Sequence, residues 1–134
     1  MKNIFALLFS LTIAIFSSGN IIAQEKPVTQ LTSVRQNGET ISFSLTSSQP
    51  FIFANNRYVL YIGQKEFLSL VQSKENGKGY MTFYVPARDF NSLAEGSGMY
   101  LSYGKIDAEN VNMDEQATSR RCWSLGKFSK SLLK

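Results

Sequence analysis

The chain has 134 residues, with fourteen Lys and Arg against ten Asp and Glu, one cysteine and no histidine. Without histidine no Ser-His or Cys-His dyad can be assembled, and no zinc site can be built from His or from several Cys. Cys122 stands alone, so no intrachain disulfide can form, and the small basic excess speaks to solubility before it speaks to any ligand.

The opening MKNIFALLFSLTIAIFSSGNIIAQ sets Lys2 before an apolar run over residues 4–16, then a Ser-Ser-Gly-Asn break, then Ala23 before Gln24. That is the layout of a secretory signal peptide ending at Ala23. An uncleaved anchor is the rival reading, but a helix over that run, at about 1.5 Å per residue, reaches roughly 20 Å against a hydrocarbon core of about 30 Å. No cysteine lies near the break to carry a lipid. Residues 1–23 are therefore read as an export signal, and 24–134 as one mature domain bound for the periplasm or the cell exterior. A chain of that size buries about two thirds of its unfolded surface, enough for a core without metals or disulfides.

Residues 24–27 read as a frayed polar terminus. In the stretch that follows, Asn37-Gly38 is a hairpin signal, because both residues tolerate positive φ. A turn on that pair sets Val34 opposite Ile41 and Thr32 opposite Phe43. Ile41, Phe43 and Leu45 alternate with Ser42, Ser44 and Thr46, so this second strand has one buried and one wet face. The first strand carries few apolar residues and belongs at an edge. Phe51 opens a further strand, interrupted at residues 54–56 by Ala-Asn-Asn and resumed at Arg57.

The stretch 57–86, RYVLYIGQKEFLSLVQSKENGKGYMTFYVP, contains three apolar runs separated by turn residues and reads as a three-strand meander. Both alternating sets of residues 58–62 are apolar, as expected of a central strand covered on both sides. In residues 80–85, Met81, Phe83 and Val85 make the core face, and Tyr80, Thr82 and Tyr84 the other. Pro86 ends that strand. Phe90 and Leu93, three apart and followed by Gly96, read as a short helical crossover between sheets. Residues 99–103 form a strand with Met99, Leu101 and Tyr103 on one face. The acidic stretch 107–119 is longer than an idle loop should be. In the last strand, residues 121–128, Trp123 and Leu125 oppose Cys122, Ser124 and Gly126, with Cys122 packed as a small apolar residue or held for an intermolecular disulfide.

Seven strand-like runs with turn signals every 8 to 12 residues and one helical crossover predict an all-β fold: a seven-stranded antiparallel Greek-key β-sandwich. The layout resembles an immunoglobulin-like or fibronectin-type-III-like domain, and Gly98-Met99-Tyr100 resembles the corner tyrosine of such folds. The cysteine pair of antibody domains is missing. Fold likeness does not carry function.

The candidate working surface is aromatic. Tyr80 and Tyr84, with Thr82 between them and Arg57 or Tyr61 on a nearby strand, could form a platform that packs on a partner protein or stacks on a sugar ring. The alternative is that these tyrosines simply fill the margins of the sandwich. Asp107, Glu109, Asn110, Asn112, Asp114 and Glu115 offer hard oxygen donors of the kind calcium takes, without the glycine and terminal glutamate of a calcium-binding loop. Arg120, Arg121, Lys127, Lys130 and Lys134 concentrate positive charge that could meet an anionic surface. For catalysis there remain only carboxylates such as Asp89 with Glu95, or Glu66, as in a small hydrolase. The reading is an exported, non-enzymatic binding module that works without a cofactor. Its partner is an envelope or surface protein or, alternatively, a glycan. Nucleic acid is not expected, nor any membrane segment after cleavage.

Overall fold

The structure, a computed structural model, describes residues 26–51, 57–68 and 70–134. The expected export signal and the interruption at 54–56 lie outside the described residues. Eight strands are present among those described: β1 (Thr29–Asn37), β2 (Thr40–Ser47), β3 (Tyr58–Ile62), β4 (Lys65–Phe67), β5 (Leu70–Glu75), β6 (Lys78–Pro86), β7 (Gly98–Tyr103) and β8 (Cys122–Lys127). Two short helices, α1 (Ala87–Asn91) and α2 (Met113–Gln116), and a 3-10 turn at Lys130–Leu132 complete the set. The strands make two four-stranded sheets, sheet I in the order β1-β2-β6-β5 and sheet II in the order β4-β3-β7-β8. Every neighbouring pair is antiparallel. No helix among the described residues is long and apolar enough to cross a membrane.

The main core lies between the sheets. Ile41, Phe43 and Leu45 of β2 and Met81, Phe83 and Val85 of β6 meet Tyr58, Leu60 and Ile62 of β3 and Met99 and Leu101 of β7. Each large apolar side chain closed off in this way contributes on the order of 1.5–3 kcal/mol. Helix α1 crosses from sheet I to sheet II as expected. Its Phe90 lies against Phe43 and edge-on to Phe128, at ring separations of 6.1 and 5.3 Å, and Leu93 is buried in the same core.

The stretch 57–86 is not one meander. The middle run of that stretch, residues 67–71, expected as one strand, is divided between two strands in different sheets: β4 pairs with β3 in sheet II, and β5 pairs with β6 in sheet I. Phe67, opposite Leu60, reaches the core, whereas Leu68 at the crossing is 51% exposed. Two hairpins, each closed by a two-residue turn, thus stand on opposite layers.

The first hairpin also departs from the expected register. Asn37 pairs with Thr40 and Val34 with Phe43, so Gly38-Glu39 is the turn. A register shift between Leu31 and Ser33 places Leu31 opposite Leu45. Leu31 and Val34 are three apart and would face opposite ways in a regular strand; the bulge lets both reach the core. This strand does lie at an edge. Of the terminus expected to fray, Lys26 and Pro27 are instead tied down. Lys26 donates to the carbonyls of Ala117 and Cys122, and the Trp123 indole donates to the Pro27 carbonyl at 3.0 Å.

Candidate binding face

The outer faces of the two sheets are built very differently. On sheet II, Val59, Tyr61, Tyr100 and Cys122 point away from the main core and form a second apolar cluster, closed by Met113 of α2 with Ile106, Ala108 and Ala117 packed around it. The long acidic stretch therefore serves as a roof. Asp107, Asn110, Asn112 and Asp114 help to hold it in shape. Asn112 caps α2 by accepting from the amides of Asp114 and Glu115, Asp107 accepts from Asn110 at 2.7 Å, and Asp114 accepts the Tyr100 hydroxyl proton. No group of three or more His, Cys, Asp or Glu that could hold a metal occurs among the described residues.

Tyr61 belongs to this roofed side, which corrects its expected place beside Tyr80. It is 1% exposed; its hydroxyl donates to the Ile106 carbonyl at 3.0 Å and accepts from the Ile106 amide at 2.7 Å. Burial pushes its pKa up. Tyr100 is pushed up to about 12, first by burial and then by its bond to Asp114. Its ring lies so close over Gly98 that a Cβ there would sit 2.7 Å from it. The hydroxyl runs forward to Asp114, whereas a corner tyrosine bonds to backbone upstream. Arg57 is also on the sheet II side. It is exposed just before β3, and its carbonyl accepts from the Gly104 amide at 2.6 Å. Neither residue joins the platform.

The outer face of sheet I has no roof among the described residues. Tyr80, Thr82 and Tyr84 of β6 stand opposite Thr46, Ser44 and Ser42 of β2. Ser73 and Val71 of β5 flank Tyr80 and Thr82, and Ser33 and Arg35 of β1 extend the rows beyond Ser44 and Ser42. The result is a field of hydroxyls carrying two tyrosines about 13 Å apart along one strand. Tyr84 is 38% and Val71 57% exposed. Ser44 and Thr82 share a hydrogen bond at 3.4 Å, and Ser42 donates to the Arg35 carbonyl at 3.3 Å. A shallow depression beside Tyr84 is lined by Asn37, Thr40, Ser42, Thr82 and Tyr84. Thr40, Ser42 and Asn37 were not among the expected site residues. Placing them beside Tyr84 requires the true registers of both pairs that β2 makes.

Several of the remaining candidates are engaged in structure. Glu95 accepts from the Lys130 amide at 2.7 Å, a bond that, with Ser129, draws its pKa down. Glu66 pairs with Lys105 at 3.2 Å on the surface. Lys130 donates from its ammonium to the Asn91 carbonyl at 2.9 Å, Lys134 donates from its amide to Val34 at 3.0 Å, and the Arg121 guanidinium lies 5.2 Å from the Tyr103 ring centre. The C-terminal residues are thus docked on the fold. Cys122 is buried, its thiol pKa raised by burial. No protein-family model, no curated protein and no solved structure matches the chain.

Proposed function

We propose that the protein is an exported, non-enzymatic binding module of the cell envelope or surface, and that it engages a partner protein through the outer face of sheet I. The single observation carrying this reading is the asymmetry of the sandwich. Tyr61 and Tyr100 are roofed and hydrogen-bonded internally, while Tyr84 is exposed and Tyr80 half-buried amid hydroxyls. Tyrosine presents rigid apolar area and a hydroxyl together, at low entropic cost on ordering. Export is supported by the signal-like N-terminal layout, and an immunoglobulin-like Greek key by the strand order. That order is the one such sandwiches use, with β4 as the extra strand.

Capture from envelope extract tests the proposal. Wild-type protein is expected to retain a discrete set of proteins that is lost when Tyr80→Ala and Tyr84→Ala are combined and kept by Glu66→Gln on the other sheet. Equal capture by all three sinks it. A glycan-binding reading is favoured by one further observation, the depression where the Tyr84 ring adjoins Asn37, Thr40 and Ser42. It predicts retardation on a polysaccharide gel that Tyr84→Ala abolishes.

A further inference from the structure

A sheet edge exposes every second N–H and C=O along its strand, and natural sheets blunt such edges. Three of the four edges here are managed. On β1, the closing pair Asn37 and Thr40 fixes the alternation so that Val34 points outward. Its carbonyl accepts from the Lys134 amide, and Leu133 bridges it in parallel. On β8, the Tyr103 amide bonds to Arg121, which turns the Cys122 carbonyl outward, and there the Lys26 ammonium binds it. β4 has three residues, of which Glu66 alone faces out.

β5 is different. Its hairpin closes on Glu75 and Lys78 around Asn76 and Gly77, both at positive φ, so Glu75, Ser73 and Val71 bond to β6. The N–H and C=O groups of Leu70, Gln72 and Lys74 face outward, with no taker among the described residues. These three positions are symmetric about Gln72. Antiparallel pairing with an identical strand, two-fold at Gln72, sets Leu70 opposite Lys74 and Gln72 opposite Gln72, giving every outward group a partner. It sets Val71 opposite Ser73 and brings the two exposed valines together on the diagonal. No like charges meet head-on, whereas the neighbouring register centred on Lys74 would oppose two ammonium groups.

We propose that a second copy of this chain occupies the β5 edge in this register, joining two sheets I into one continuous sheet that doubles the Ser, Thr and Tyr face. This rests on the reading of that face as the working surface and adds how it is assembled. Pairing over five residues buries less than the roughly 1,200 Å² of a standard interface, so the dimer is expected to form in a concentration-dependent manner.

Sedimentation of the purified protein over a wide concentration series is expected to show the mass doubling. Hydrogen exchange at the amides of Leu70, Gln72 and Lys74 should slow as concentration rises, while those of Val71 and Ser73 are slow throughout. Gln72→Pro removes an outward N–H and no bond to β6, so it should leave a folded monomer. Val71→Lys, which places like charges on the diagonal, should do the same should the proline variant fail to fold. A monomer at every concentration overturns the proposal and leaves the edge for a foreign strand. A dimer that survives both substitutions also overturns it, and points to the tyrosine face as the contact. Mass is read independently of capture from extract, so failure here is told apart from failure of the partner-binding reading.

Discussion

The two outer faces of this sandwich use the same residue type for opposite ends. Tyr61 and Tyr100 sit on sheet II beneath the roof made by residues 106–117, and their hydroxyls fasten it, one to the Ile106 backbone and one to Asp114. Tyr80, half-buried, and Tyr84, exposed, sit on sheet I with Ser, Thr and Val on the neighbouring strands and Asn37 at the margin. What separates the pairs is the cover supplied by a distant stretch of chain. A tyrosine ring in a strand is structural where something lies over it, and available where nothing does.

The largest test of this contrast is Tyr61→Ala. Removing a buried ring and the anchor for Ile106 is expected to cost about 3 kcal/mol, at the low end for large aromatic deletions because the roof can partly settle. Urea unfolding measures it, and a change under about 1 kcal/mol would mean that the roof is not held by this ring. Tyr100→Phe comes next, at about 1 kcal/mol for the lost bond to Asp114, with a pH signature. Below pH 10 the folded and unfolded chains both keep the phenol proton; between 10 and about 12 the unfolded chain releases it first, so stability falls as pH rises. Tyr61, also raised, acts in the same sense; Lys26, lowered chiefly by burial, acts in the opposite sense. Melting temperature against pH should therefore drop less steeply above pH 10 in Tyr100→Phe than in wild type, and parallel curves would contradict the assignment. Smallest in stability are Tyr80→Ala and Tyr84→Ala, each expected within about 0.5 kcal/mol, as for surface sites away from packing. A large loss at either would show that it is a packing residue.

Much of the strand pattern was legible from parity alone. The core face of β6, the double-sided burial of β3, the edge position of β1 and the helical crossover with Phe90 and Leu93 all follow from which alternate residues are apolar. Parity is local and cannot say which sheet a strand joins. The run through Phe67 therefore read as one strand, although the chain changes layers at Leu68. Nor could parity foresee the bulge that brings Leu31 and Val34 to one face, since a bulge breaks the alternation on which the reading depends.

At the site, the division of Tyr80, Thr82 and Tyr84 from Met81, Phe83 and Val85 was visible in the sequence, because strand alternation is enforced by backbone geometry. That Tyr61 and Arg57 stand on the far sheet was not, because sheet membership is set by long-range pairing. The sequence by itself determined the mostly β character, the faces of individual strands and, through the absence of histidine, the histidine-dependent chemistries closed to the chain. Only the tertiary structure decided that residues 106–117 fold back over sheet II and that, among the described residues, nothing covers the outer face of sheet I. That choice depends on the gathering of Met113 into one cluster with Tyr61 and Val59, and on the bond from Tyr100 to Asp114, between residues whose proximity no local pattern encodes.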